Sequence, residues 1–372
     1  FVGWDKPFDC VSNSMTVAAI YKKDGKLLDG KNYTEKVGDY TWTFDVENGE
    51  ATIVSRQVLS QYGYYETSCG VEPSPSGVLA VPATLGGCPV VGLGSSALYN
   101  CGMTSVTLPQ TLVSIGNFAF ESCYNLTQVD VPASVEAIGE GAFRNCSQLR
   151  NLMVVSGNLH YTAEDGVLYD KGKTAIYFWP QQKAIEIPSG VCDIGPYAFF
   201  NNYASRDQSV TLPSSVTNVG QYAFQSCYLN EEVNLNEGLV SIGSCAFEYN
   251  SFRSIVIPYT VKRMGSSVFY GCNQLSSVFF AGNAPEYVEV NLYSDTPAGL
   301  TTFVRSGSTG WAEAGSTELP EQWPMPDQWG NGSPRPIDTW TTYPDLPAMY
   351  TVTFVAGNGG YISGAGKRTV VA

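Results

Sequence analysis

One phrase governs what this chain can fold into. An apolar residue and a glycine are followed by two variable positions, alanine, phenylalanine, two more positions, and then cysteine or asparagine. It stands as "SIGNFAFESC", "AIGEGAFRNC", "DIGPYAFFNN", "NVGQYAFQSC" and "SIGSCAFEYN", with looser versions "GLGSSALYNC" before and "RMGSSVFYGC" after. Aligned on the large apolar position, Leu98, Phe120, Phe143, Phe199, Phe224, Phe247 and Phe269 are separated by 22, 23, 56, 25, 23 and 22 residues. A fixed period in the twenties predicts a solenoid, each unit one coil resting on the next. A lone coil buries too little apolar surface to offset the ordering of its backbone. Neighbouring coils must therefore supply both burial and hydrogen bonds.

Two further pieces complete each unit. The pattern V-x-[LIV]-P alternates apolar and polar residues, as a strand with one buried face does. Pro109, Pro132, Pro188, Pro213 and Pro258 end these strands, because proline cannot donate to the next rung. A second short strand, V-x-x-[IVM], leads to Gly94, Gly116, Gly139, Gly195, Gly220, Gly243 and Gly265. Positive φ or close approach between coils would each require glycine there. The phenylalanines are expected to stack through the interior as one aromatic spine. The step of 56 residues holds one period plus 33 residues, 152–184, including "DGVLYDKGKTAIYFWP". Asp165-Gly166 and Lys171-Gly172 are turn dipeptides, so a hairpin should replace one unit's outer turn.

Ten cysteines raise the question of disulfides. Cys101, Cys123, Cys146, Cys227 and Cys272 fill the last position of the phrase, which Asn202 and Asn250 also occupy. A column that accepts either residue reads as a ladder of small buried polar groups bonding to backbone, with its thiols reduced. Cys10, Cys69, Cys88, Cys192 and Cys245 lie outside it. Among these, Cys10 and Cys69 are the expected pair, because they share the N-terminal flank.

The repeated phrase resembles the BspA-like leucine-rich repeats of bacterial surface proteins, of the treponeme type, over about 79–280. Two departures are Asn in the Cys position at 202 and 250, and Asn236 where proline is usual; neither is expected to break the fold. The resemblance implies a mostly β fold: a right-handed leucine-rich-repeat solenoid of short strands and turns, with a β-hairpin N-terminal cap. Residues 1–22 and 350–372 resemble the closing and opening halves of Listeria–Bacteroides repeats, small β-grasp-like surface modules. The expected organisation is a partial β-grasp-like repeat and linker at 1–39, a cap at 40–78 and the solenoid at 79–310. A Pro/Trp-rich linker without regular structure (311–349) and the start of a second β-grasp-like repeat (350–372) follow. Trp311, Trp323, Trp329 and Trp340 are expected to pin the linker to the solenoid, with a ligand cage as the other reading. The chain opens on Phe1 and reads as a piece of a longer surface protein.

Composition narrows function. The net charge of −14 argues against nucleic acid and against an anionic membrane surface. No apolar run approaches the roughly 20 residues that span a bilayer, so no direct membrane insertion is expected. The single histidine, His160, lies beside the insertion, and no nucleophile, zinc, phosphate or dinucleotide motif stands in the chain. Glu231 and Glu232 are adjacent on a strand and point to opposite faces. Glu164, Asp165 and Asp170 miss the spacing of a calcium loop and read as hairpin turns. No enzyme, cofactor or metal is expected.

What remains is the outward face of the V-x-[LIV]-P strands. One column runs Thr107, Asp130, Met153, Glu186, Thr211, Asn234, Val256 and Phe279; a second runs Ser105, Gln128, Asn151, Ser209, Glu232, Ser254 and Ser277. Solenoids bind partners with such faces. Asp130, Met153, Glu186, Glu232, Asn234, Val256 and Phe279 are the candidate contact residues, the last two as an apolar anchor. The resemblance implies an extracellular, cell-surface or secreted recognition module. Its partner would be a host extracellular-matrix protein, a glycan or another bacterial surface. A structural spacer presenting other domains is the alternative, and a substrate-binding module attached to a surface hydrolase a third reading.

Overall fold

The computed structural model describes residues 3–4, 19–60, 64–205, 207–289, 292–311, 322–323 and 335–340. Among these residues there is no helix, only short strands and turns. Coils on either side of the insertion carry two strands each, so the stack has two parallel ladders. The V-x-[LIV]-P strands Ser76–Ala80, Gly102–Thr107, Gln128–Val131 and Asn151–Val154 form one run of the strand face. Gln208–Thr211 and Leu229–Asn234 form a second, and Ser254–Ile257, Ser277–Phe280 and Thr301–Arg305 a third. The opposite ladder joins Cys88–Leu93, Ser114–Ile115 and Ala137–Ile138. It resumes with Asp193–Ile194, Asn218–Val219, Ser241–Ile242, Arg263–Met264 and Tyr287–Val288.

The aromatic spine forms inside. Phe120 and Phe143 stack at 5.3 Å, Phe199 and Phe224 at 4.8 Å, Phe224 and Phe247 at 5.4 Å, and Phe247 and Phe269 at 6.3 Å. Tyr293 continues the stack 6.0 Å beyond Phe269. The recurrent glycines serve close approach: a Cβ on Gly243 would stand 2.5 Å from the Gln221 nitrogen of the coil below. Positive φ falls elsewhere, two residues past that glycine, at Ser96, Phe118, Gly141, Tyr197, Tyr222, Cys245 and Ser267. Gly141 is the special case. A Cβ there would meet the Phe118 ring at 2.7 Å, and its absence lets Phe118 and Tyr197 pack edge to face at 5.4 Å.

The segment 152–184 does more than replace an outer turn. Tyr161–Glu164, Val167–Asp170 and Ala175–Phe178 form a three-stranded antiparallel meander, and the last strand runs parallel to Asp193–Ile194 as that coil's own rung. Phe178 packs on Phe143 at 5.8 Å and Trp179 on Phe199 at 5.0 Å, bridging the spine across the insertion. Both ladders stop here. The buried apolar residues accordingly fall into two large clusters, one reaching from Leu27 to Phe178 and the other from Val167 to Trp311.

At the N-terminal end, Tyr40–Glu47 and Glu50–Ile53 form the expected hairpin about Asn48-Gly49, and its second strand lies parallel to Cys88–Leu93. Two expectations are corrected. Cys69 pairs with Cys101, so Cys101 is not a reduced rung and Cys69 is not joined to Cys10, which lies outside the described residues. The Pro/Trp-rich stretch is not without regular structure: Arg335–Trp340 runs parallel to Thr301–Arg305, and Gln322–Trp323 returns beside it. Pro336 sits before the first rung shared with Thr301–Arg305, where its missing N–H is tolerated. Trp311 is buried, donating its indole N–H to the Gly282 carbonyl at 3.1 Å, as a pin would. Trp329 and the flank 350–372 lie outside the described residues, as does most of 1–22.

Candidate recognition face

The strand face is positioned by what lies beneath it. Val129 and Val131 point inward and are fully buried, which turns Gln128 and Asp130 outward. Parallel pairing then fixes lateral neighbours: Ser105 beside Gln128 beside Asn151, and Asp130 beside Met153. Gln128, Asp130 and Asn151 are exposed, and Met153 is 60% exposed. The Gln128 amide donates to both Asp130 carboxylate oxygens at 3.4 Å. This part of the face is open, rigid and mixed in polarity.

Farther along, the columns change character. Glu186 is exposed but stands on no strand, because its segment does not join the ladder. The Trp179 indole donates to the Lys183 and Ala184 carbonyls at 3.2 Å, and Asn202 donates to Lys183 at 2.9 Å, taking groups that a strand partner would use. Thr211 and Asn234 are in register, with Asn234 half-buried. Glu232 is half-buried, and its Oε2 has no hydrogen-bond partner among the described residues. Val256 and Phe279 are in register as expected, but each is only 6% exposed. They form a separate small cluster with Ala281 and Phe303, whose ring stacks on Phe279 at 4.7 Å. The structure therefore brings Asp130 and Met153 together on an open surface, keeps Glu186 apart, and covers the apolar pair.

The thiol column holds this scaffold. Cys123 donates to the Leu98 carbonyl at 3.0 Å, Cys146 to Phe120 at 3.0 Å, Cys227 to Phe199 at 2.9 Å and Cys272 to Phe247 at 3.2 Å. Each rung thus ties a coil to the spine residue of the coil before it. Asn250 repeats the bond to Phe224 at 2.8 Å. Burial pushes the Cys227 and Cys272 thiols up to about 12 and raises Cys146 well above its ordinary value, which favours the neutral thiol at these three rungs.

A second ladder was missed by sequence reasoning. Thr111 donates to the Val90 carbonyl at 2.7 Å, Ser134 to Leu112 at 2.6 Å and Ser215 to Val191 at 2.6 Å. The signal was there: a hydroxyl recurs two residues after the strand-ending proline. Where the hydroxyl is lost at Gly238, Asn236 replaces that proline and donates to the equivalent Val216 carbonyl at 2.9 Å. The departure at 236 is thus a compensated pair. Among the described residues no three His, Cys, Asp or Glu gather as metal ligands.

The family described as "BspA type Leucine rich repeat region" matches in six copies, over residues 89–181 and 172–297. The chain belongs to this family. Among solved structures it is similar to the pneumococcal vaccine antigen PcpA, with 15% identity over 74% of this chain and 94% of that one, at a TM-score of 0.46. It is also similar to a leucine rich cell surface protein of Faecalibacterium prausnitzii, with 21% identity over 75% and 96% of the two chains and a TM-score of 0.42. A leucine-rich repeat protein of Bacteroides ovatus shares 22% identity over 73% and 71%, at a TM-score of 0.39. A search of curated proteins gave no match.

Proposed function

We propose that this BspA-type solenoid is a non-enzymatic recognition module of a bacterial cell surface that binds a host matrix protein or another bacterial surface across its strand face. The observation that carries this reading is the open patch of Gln128, Asp130, Asn151 and Met153. Parallel pairing holds these four side chains in register, so little ordering accompanies association. Met153 supplies an exposed apolar contact beside Asp130, and Asp130 with the more distant Glu186 favours a basic partner. Binding should weaken as salt rises.

The full chain, immobilised and exposed to a panel of host matrix proteins and bacterial surfaces, tests this. The variant Asp130→Asn/Met153→Ala should bind at least tenfold more weakly than the parent while melting at the same temperature. Unchanged binding by that variant places the contact elsewhere. The structural-spacer reading draws support from the burial of Val256 and Phe279, which removes the expected apolar anchor from the surface. It would be favoured if the panel gave no binding at all.

A further inference from the structure

Beside the first coil, a ribbon formed by Arg56–Leu59 and Tyr65–Ser68 pairs with no other strand among the described residues. Two-stranded ribbons are marginal by themselves. This one is fastened at its root: Arg56 donates to the Cys69 carbonyl at 2.9 Å and pairs with Glu72, and Cys69 is joined to Cys101 of the first coil. Between ribbon and coil lies a cavity of about 600 Å³, within the size range of small-molecule sites. The ribbon's inner side supplies Val58, Glu66 and Ser68, and the coil supplies Tyr99 and Asn100.

The chemistry of the lining is selective. None of the side chains of Glu66, Ser68, Ser74 and Asn100 hydrogen-bonds to another described residue, so acceptors and two-way groups converge on the space. Tyr99 and Val58 add an aromatic ring and an apolar edge. The lining carries one charge of each sign, Arg56 and Glu66, and the exposed Glu66 carboxylate would repel an anion. A cationic ligand would in turn face the Arg56 guanidinium. A metal ion is disfavoured, since no three ligating side chains gather among the described residues. A neutral ligand with many hydroxyls and one apolar face suits all of these features.

We propose that this cavity binds a neutral sugar unit of a glycan, at a site separate from the strand face. Its hydroxyls would donate to Glu66 and exchange hydrogen bonds with Ser68, Ser74 and Asn100, while Tyr99 lies against the pyranose ring. A site built this way rejects ligands that leave its polar groups unpaired.

The test is saturation-transfer NMR and titration of the full chain with the methyl glycosides of galactose, glucose, mannose and N-acetylglucosamine, and of N-acetylneuraminic acid as the anionic comparison. At least one neutral glycoside should bind, and Glu66→Gln and Tyr99→Ala should each weaken it tenfold or more. Asp130→Asn, on the strand face, should leave it unchanged. Should Tyr99→Ala fail to fold, Glu66→Gln and Asn100→Gly decide the matter, since Glu66 is exposed and Asn100 has a φ of 53° that glycine adopts freely. The proposal is overturned if no neutral glycoside binds, if the anionic one binds best, or if binding ignores the cavity substitutions.

Discussion

From Leu98 to Phe143 the spine has one leucine and two phenylalanines, its rungs are the thiols of Cys123 and Cys146, and its first rung position is locked covalently as Cys101–Cys69. From Phe199 to Phe269 four rings stack without a break, and asparagine alternates with cysteine: Asn202, Cys227, Asn250, Cys272. A thiol is a weak donor that serves one carbonyl well, whereas an amide both donates and accepts. Asn250 shows the difference. It donates to the Phe224 and Phe247 carbonyls at 2.8 and 2.9 Å, and accepts from the Cys227 and Leu229 nitrogens at 3.2 and 3.1 Å. In the C-terminal half the Asn250 amide thus ties its coil to the preceding one both as donor and as acceptor, while the N-terminal half carries a disulfide at its first coil. The open part of the strand face belongs to the N-terminal half, and the covered apolar part to the other.

The largest effect should come from the spine. Phe224 is fully buried between two rings, and Phe224→Ala should cost about 3–5 kcal/mol by leaving a cavity. Chemical denaturation should show that loss; a variant that unfolds at the parent midpoint would mean the stack contributes little. The rungs come next. Asn250→Ala should cost about 3 kcal/mol by orphaning buried groups, while Asn250→Cys, which restores one bond to Phe224, should recover part of it. Equal losses would show that the bonds the amide accepts are idle.

A smaller effect follows from the thiols. Burial raises Cys227 and Cys272 from an ordinary 9.0 to about 12, so the folded state favours their neutral form. That stabilisation is complete below about pH 9 and is lost as pH rises towards 12. The double variant Cys227→Ala/Cys272→Ala should therefore lose less of its own stability over that window than the parent does. At pH 8 a thiol reagent should reach the exposed Cys192 and leave Cys123, Cys146, Cys227 and Cys272 untouched until unfolding. Reaction of those four in the native protein would contradict the ladder.

Periodicity made the spine, both strands of each coil and the Cys/Asn column legible in the sequence, because each coil restates them. What escaped lies where the period starts, stops or is interrupted. Leu98 is the first spine residue, so no earlier spine carbonyl awaits Cys101, and nothing in the repeat pointed to Cys69. Glu186 sits in a segment that reads as a strand, yet side chains of Trp179 and Asn202 take its neighbouring carbonyls. Val256 and Phe279 read as outward residues; they gather instead in a cluster with Ala281, and the ring of Phe303 that stacks on Phe279 comes from chain beyond the last phrase. The recognition face was legible as a register, and its exposure was not. That depends on what packs over it, which no local pattern encodes.

One phrase builds two separately packed halves, the first fastened by Cys69–Cys101. Hydrogen exchange of the full chain, oxidised and as the Cys69→Ser/Cys101→Ser variant, distinguishes two halves from one core. Loss of the disulfide should cost the N-terminal half about 2–4 kcal/mol of protection. The loss should appear in Tyr40–Glu47, Cys88–Leu93 and Gly102–Thr107, while Asn218–Val219, Ser241–Ile242 and Arg263–Met264 keep theirs. An equal loss along the whole stack would mean a single cooperative core, and would contradict the division.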